Sequence, residues 1–210
     1  MLPSLIAIAL LHWAVLLVPG FNVVLLAQLA GGQRRATALA AVAGMTTATF
    51  AWATLAVMGI GVVFSTQPML RQAVQVAGGL YLLYLAFNLW RSGASVAAEP
   101  QGTLSNNAAF RVGFMTSALN PKIALFYGSV FATALPPSPS WVHVASAVAL
   151  VYFNSVVWHT SLAFAFSQKA VQRAYLRNFA RLTKASGAVV GAFGLRLIVG
   201  TLQELRARMP

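Results

Sequence analysis

Residues 9–30 read ALLHWAVLLVPGFNVVLLAQLA, a stretch that has no charged side chain and is interrupted in its middle by Pro19 and Gly20. A helix needs about 20 apolar residues to cross the roughly 30 Å hydrocarbon core of a bilayer. Proline removes a backbone donor and clashes with the preceding turn. Together with the apolar residues before it, this stretch therefore predicts a transmembrane helix, over about residues 2–30, that is broken near Pro19.

The whole chain has the composition of a polytopic membrane protein. Of its 210 residues, 59% are hydrophobic and 8% are charged, and the mean hydropathy is +0.76, whereas soluble domains carry about 25% charged residues. Glu99 and Glu204 are the only carboxylate side chains, and the chain has no cysteine. This composition excludes paired-carboxylate catalysis, magnesium or calcium cages and thiol nucleophiles. We expect no enzyme, no cofactor and no metal site.

Five further apolar stretches are predicted to cross the membrane. They run over about residues 36–64, 69–90, 111–135, 141–166 and 185–202. The predicted fold is therefore all-α with six transmembrane helices, and the sequence leaves open whether the short sixth one fully spans. A polar cytoplasmic linker, 91–110, separates two three-helix repeats at 1–90 and 111–202, and a C-terminal tail follows at 203–210.

The two halves are predicted to form an inverted repeat, because three is an odd number of spans and the second half enters from the opposite side. Each half opens with a span broken at proline, at Pro19-Gly20 in one and Asn120-Pro121 in the other. Matching interruptions in the two halves of a transporter point to its substrate site. Ordinary proline kinks are the alternative, but each interruption here carries polar side chains of its own.

Polar groups at the two interruptions are the candidate substrate ligands. Lys122 follows Pro121 at the start of a half-helix, where the free amides favour an anion, and an ammonium inside the membrane is a functional candidate. We expect Lys122 to bind the carboxylate of a small zwitterion and Asn22 to accept from its ammonium. Alternatively, Lys122 neutralises carbonyls at the end of the other half-helix. The predicted binding set is Pro19, Gly20, Asn22, Asn120, Pro121, Lys122, Asn154 and His159.

Proton coupling needs a group that titrates, and histidine is the candidate in a membrane domain without carboxylates. His159 lies about 18 residues into the fifth predicted span, deep enough to approach the interruptions. A structural imidazole is an equally open alternative for His159, and it is the favoured interpretation for His12 and His143. Polar residues of the second and third spans are predicted to line the pathway: Thr46, Thr49, Tyr84 and Asn88.

Lysine and arginine are concentrated in the loops after spans one, three and five. Arg34 and Arg35 lie in the first of these loops, and a basic segment at 169–184 forms the third. The positive-inside rule places these loops in the cytoplasm and both termini outside. The net charge of +12 is thus a topology signal, and we expect contact with lipid and no nucleic-acid partner. A GxxxG at 187–191 permits close helix packing, within the chain or in a homo-oligomer.

Four segments, in order along the chain, resemble motifs of the LysE/RhtB superfamily of bacterial amino-acid exporters. They are PGFNVVLLAQLAGGQRRATALAAVAGMTTATF (19–50), AGGLYLLYLAFNLWRS (77–92), FRVGFMTSALNPKIALFY (110–127) and SGAVVGAFGLRLIVG (186–200). The resemblance implies a multi-pass protein of the bacterial inner membrane with a six-helix fold of two inverted halves. It also implies an antiporter that exports amino acids or their derivatives from the cytoplasm, usually driven by the proton-motive force.

The chain departs from the family motif at two positions of the first interruption. Phe21 replaces the second proline of Pro-Gly-Pro-Asn, and Asn22 stands where some members have Asp. Without an acid in the membrane, a cationic substrate would have no counter-ion. We therefore expect a neutral substrate that resembles threonine, homoserine or leucine. A passive channel for small solutes is the main alternative, and a membrane-embedded enzyme is a weaker one.

Overall fold

The structure of the protein, a computed structural model, describes residues 1–32, 35–66, 68–91, 104–136 and 138–206. The side chains of some helical residues, including Pro121 and Lys122, lie outside this description. The described residues form helices and contain no strand. The helices are α1 (Leu2–Leu16), α2 (Phe21–Gly32), α3 (Arg35–Thr66), α4 (Pro68–Arg91), α5 (Asn106–Ala118), α6 (Pro121–Ala134), α7 (Trp141–Phe166) and α8 (Lys169–Arg206).

The first apolar stretch forms two helices with a bend between them. α1 ends at Leu16, α2 begins at Phe21, and the two axes differ by 59°. Pro19 in the connection has no N–H to offer the helix. The chain therefore changes direction at the proline, and the polar side chain of Asn22 stands in the first turn of α2.

A shorter interruption separates α5 from α6. Asn120 lies between the two helices, where its N–H donates to the Ser117 carbonyl at 3.2 Å and its carbonyl accepts from Ile123 at 3.0 Å. Pro121 is the first residue of α6, a position at which a helix needs no N–H from its residue. The helical hydrogen bonding is thus nearly continuous here, unlike at the first interruption.

The other helix boundaries follow the predicted spans where a side chain caps the helix. α7 covers the predicted range 141–166, and the Ser140 hydroxyl accepts from the His143 N–H at its start. α5 begins at Asn106, before the predicted start at 111, because the Ser105 hydroxyl accepts from Ala108 and caps the helix there. Residues 92–103 of the predicted linker lie outside the described residues.

The basic segment 169–184 is part of a helix, so the prediction of a loop there is wrong. α8 has 38 residues and, at 1.5 Å per residue, is about 57 Å long, well above the roughly 30 Å of a bilayer core. Its basic residues occupy exposed positions, while the Tyr175 ring packs against Phe166 with centroids 4.9 Å apart. The segment is amphipathic. Its many charged residues suggested a loop, although its aromatic residues have helical spacing.

Length and composition identify a multi-pass membrane protein. Among the described residues, three helices are long and apolar enough to cross a bilayer, over 35–58, 141–166 and 169–203. The bent pair formed by α1 and α2 is a fourth if it counts as one span. Six spans arranged as an inverted repeat stay a prediction.

The packing brings both interruptions to the middle of the molecule. α3 packs against α5, α6 and α7, while α7 also packs against α1 and α2. α4 and α8 pair with each other beside this group. The residues that flank the two interruptions therefore surround the contact between α3 and α7.

Two glycines allow α3 and α5 to approach closely. A Cβ on Gly44 would overlap the carbonyl oxygen of Phe110, and a Cβ on Gly113 would overlap the backbone of Ala41. Small residues of this kind let helix backbones touch inside a membrane. This contact fixes α5, and with it the second interruption, against α3.

We expect Gly113→Ala to lower the free energy of unfolding by about 1–3 kcal/mol, the usual cost of overpacking, because a backbone neighbour has little room to move. The matched control is Gly128→Ala in α6, where an added Cβ meets no atom within 4 Å and the helix preference of alanine applies. Titration of the detergent-purified proteins with SDS measures both. Equal stabilities of the two variants would contradict the close contact.

Candidate functional site

Residues from both interruptions line one small cavity. Gly20 lies in the first interruption and Asn22 in the first helical turn after it, Asn120 lies in the second interruption, and His159 comes from α7. The cavity has a volume of about 40 Å³, which is enough for water but far below the 300–1,000 Å³ typical of ligand pockets. As the structure shows it, the cavity is therefore too small for a typical small-molecule ligand.

The side chain of Asn22 joins three helices beside this cavity. Its Nδ2 donates to Ser117 Oγ on α5 at 2.9 Å and lies 3.4 Å from His159 Nε2 on α7. Its Oδ1 is buried and has no hydrogen-bond partner among the described residues. One amide thus ties the helix after the first interruption to the helix before the second, and a buried acceptor is left unused.

The contacts of His159 define its tautomer. The amide nitrogen of Asn22 can only donate, so Nε2 accepts, and the proton of the neutral ring is on Nδ1. This Nδ1 lies 2.8 Å from the Ser155 carbonyl and 3.1 Å from Ser155 Oγ, so it has acceptors within reach. The imidazole presents a basic nitrogen to Asn22 in the wall of the cavity.

His12 belongs to the same wall, although the sequence favoured a structural role for it. Its Nε2 lies 2.9 Å from the hydroxyl of Tyr127, and its ring stacks on Phe126 with centroids 5.9 Å apart. Its Nδ1 is buried and lacks a partner among the described side chains and backbone groups. Both His12 and Tyr127 line the cavity, so two imidazoles face the same small space.

Hydroxyl groups connect the two imidazoles. Thr49 Oγ1 lies 3.3 Å from Ser155 Oγ, and Thr49 also interacts with the hydroxyl of Tyr127. Since Ser155 contacts His159 and Tyr127 contacts His12, the polar groups form one connected set. This set joins α1, α3, α6 and α7 around the cavity.

The structure brings five of the predicted site and pathway residues into the cavity wall: Gly20, Asn22, Thr49, Asn120 and His159. Pro19 is buried in the connection beside them. α6 begins at Pro121 and Lys122, but the side chains of both lie outside the described part of the structure. Their predicted role in binding stays a prediction.

Four predicted residues lie elsewhere. Asn154 is buried in α7 but does not line the cavity, and its Nδ2 has no described partner. Thr46 donates back to the Val42 carbonyl at 3.0 Å, as threonine in a helix often does. Tyr84 is 63% exposed, because α4 packs on α8 through its opposite, glycine-containing face. Asn88 is half-buried on α4, outside the cavity wall.

The sequence reasoning did not assign Ser117 or Tyr127 to the site. Ser117 precedes Asn120 by three residues and Tyr127 follows Pro121 by six, so both lie within two helical turns of the second interruption. A search for polar side chains at helical spacing around each proline would have found both. His12 is seven residues before Pro19 and meets the same criterion.

A larger cavity of about 700 Å³ lies between α1, α4, α6 and α8. Its walls are mainly apolar, with polar contributions from Arg196 and from Gln75, whose Oε1 accepts from the Thr201 hydroxyl at 3.4 Å. Val15 and Phe126 line both this larger cavity and the small cavity. These two side chains therefore stand between the two spaces.

Residues 13–201 of the chain match the family described as LysE type translocator. The chain is 28% identical to the threonine efflux protein of Escherichia coli K12, over 95% of this chain and 99% of that protein. It is 26% identical to the threonine efflux protein of Salmonella typhi, over the same shares. An uncharacterized membrane protein of Escherichia coli K12, YahN, is 31% identical over 86% of this chain and 82% of that protein. No solved structure matches the chain significantly.

We expect the bond between Asn22 and Ser117 to contribute a coupling energy of about 0.5–1.5 kcal/mol, as is typical of a buried neutral hydrogen bond. A double-mutant cycle with Asn22→Ala and Ser117→Ala measures it by SDS titration of the purified protein. In the control cycle, which pairs Asn154→Ala with Ser117→Ala, the two effects should add, since no hydrogen bond joins these residues. Additive effects in the first cycle would show that the bond is absent.

Proposed function

Because this chain belongs to the LysE type translocator family, we propose that it is a secondary transporter that exports small neutral amino acids from the cytoplasm, driven by the proton-motive force. The observation that carries this proposal is that both interruptions contribute residues to one small polar cavity. Irregular backbone inside a membrane is tolerated where it is buried or lines a cavity, and transporters use it to bind substrate. The similarity to threonine efflux proteins supports an amino acid as the substrate.

The proposed site has complementary groups for the two ends of a zwitterion. The unpaired Asn22 Oδ1 is an acceptor suited to an ammonium. For the carboxylate we propose Lys122, the second residue of α6, because the start of a helix and an ammonium both favour an anion. The substrate would thus satisfy a buried group that the closed protein leaves unpaired.

A neutral substrate side chain fits the charges of the site. No aspartate or glutamate lines the cavity among the described residues, and the two glutamates of the chain lie at positions 99 and 204, beyond the predicted spans. A cationic side chain would be desolvated there without a counter-ion, which is costly. The hydroxyl of Thr49, which lines the cavity, would serve as a partner for those neutral substrates that carry a hydroxyl.

Export requires the closed cavity to open to each side in turn. The larger cavity lies near both chain termini, since Pro3 and Gln203 line it. We place it on the release side, because the positive-inside rule puts both termini outside the inner membrane. Val15 and Phe126, which line both spaces, would then separate the bound substrate from the exterior. An inverted repeat of the two halves would supply the matching opening toward the cytoplasm.

Cells that express the protein and are preloaded with labelled amino acids test this proposal. We expect efflux of threonine, homoserine or leucine to rise several-fold over cells with an empty vector, and efflux of lysine to stay at the vector level. Export against a gradient should collapse with an uncoupler, as a carrier requires and a channel does not. Specific export of lysine would contradict the neutral site.

Lys122→Met should reduce threonine efflux about tenfold or more, because a hydrogen bond to a charged group contributes about 1.5–3 kcal/mol. The matched control is Lys184→Met, which removes the same charge from an exposed position of α8. Both variants are compared at equal membrane levels. Unchanged efflux by Lys122→Met would remove this residue from the substrate site.

A further inference from the structure

The two polar atoms of the Asn22 amide differ in their hydrogen bonding. Its Nδ2 serves two neighbours, Ser117 Oγ at 2.9 Å and His159 Nε2 at 3.4 Å, while its buried Oδ1 serves none of the described residues. An amide has two donors on one side and an acceptor on the other. The observed orientation is therefore the one that requires an unprotonated Nε2 on His159 and leaves an acceptor for a ligand.

Protonation of His159 at Nε2 would reverse this arrangement. An Nε2–H cannot face the Nδ2–H of Asn22, so the amide must turn by half a rotation and present Oδ1 to the imidazolium. Ser117 can follow, because a hydroxyl both donates and accepts, so Ser117 Oγ would donate to Oδ1 instead of accepting from Nδ2. The same three side chains thus have two complete arrangements that differ by one proton.

We propose that the Asn22 amide is a two-position switch through which a proton on His159 and the ammonium of the substrate exclude one another. This inference rests on the proposed export of amino acids. With His159 neutral, Oδ1 accepts from the substrate ammonium. When His159 takes a proton at Nε2, Oδ1 turns to the imidazolium, the positive charge repels the ammonium, and the substrate leaves. One proton is bound for each substrate released, which is the exchange that an antiporter needs.

Two other titratable side chains among the described residues share the cavity wall with His159. His12 on α1 and Tyr127 on α6 line the same cavity, whereas α2, α3 and α5 bring the non-titrating residues Asn22, Thr49 and Ser117. The charged residues of α8 are not among those that line it, and the side chain of Lys122 on α6 lies outside the described residues.

His12 and His159 interact electrostatically, so two imidazolium ions in this space would oppose each other. His12 Nε2 is engaged by Tyr127, whereas His159 Nε2 contacts the amide that has the unpaired acceptor. The proton is therefore assigned to His159.

Binding of labelled threonine to the purified full-length protein, measured between about pH 5 and pH 8, where histidine titrates, tests the switch. For the wild type, the apparent Kd should rise as the pH falls, by up to about tenfold per pH unit for competition with one proton. His159→Gln should bind with a Kd independent of pH, because the glutamine oxygen accepts from Asn22 Nδ2 and does not titrate. The matched control, His143→Gln on the same helix and away from the cavity, should keep the pH dependence of the wild type.

Transport in proteoliposomes gives a second readout. His159→Gln should lose threonine accumulation driven by a pH gradient, whereas His143→Gln should keep it. Gradient-driven accumulation by His159→Gln at the wild-type level would overturn the switch. Loss of the pH dependence in His12→Gln but not in His159→Gln would assign the proton to the other imidazole and also overturn it.

Failure of the switch can be told apart from failure of the proposed function. If the wild type binds threonine with the same Kd over the whole pH range, the proposed export function is retained and the proposed switch is wrong. If the wild type binds neither threonine, homoserine nor leucine at any pH, the proposed substrate class is wrong, and the switch falls with it.

Discussion

A polar group inside a bilayer must find its partner within the protein, because lipid offers none. The two interruptions at residues 17–20 and 119–120 create such groups in the middle of the molecule. The hydrogen bond from Asn22 to Ser117 supplies one such partner, and it joins the helix after the first interruption to the helix before the second. This bond helps to hold α2 against α5.

The same constraint underlies the proposal that a solute binds in this cavity. Its polar groups come from five helices and satisfy most of each other's hydrogen bonds, but Asn22 Oδ1 and His12 Nδ1 find no partner among the described residues. Buried groups without partners are costly. In the proposed exporter, a substrate ammonium would satisfy the Asn22 acceptor, and a proton on His159 would remove that acceptor and favour release. Binding and release would then depend on the same few atoms.

The sequence predicts the parts of this fold that local chemistry controls. α7 covers the range 141–166 that its apolar residues predict, and Pro19 lies in the connection between α1 and α2. Prediction from the sequence fails where contacts between distant parts of the chain determine the structure. The helix over 169–184 has charges that suggested a loop, yet Tyr175 anchors it on Phe166. Tyr84 has the composition of a pathway residue, but the packing of α4 on α8 leaves it exposed. The pairing of His12 with Tyr127 joins residues far apart in the chain, and spacing within one helix cannot show it.

The most direct test asks whether a solute occupies the cavity between the interruptions. Because the natural chain has no cysteine, Ile123→Cys places one thiol in the cavity wall, and Ser138→Cys places one on the exposed turn before α7. The measurement is the rate of alkylation by a small maleimide with and without threonine. We expect threonine to slow the reaction of Ile123→Cys several-fold and to leave Ser138→Cys unchanged. An unchanged rate for Ile123→Cys, at threonine concentrations that saturate efflux, would contradict a substrate site between the two interruptions.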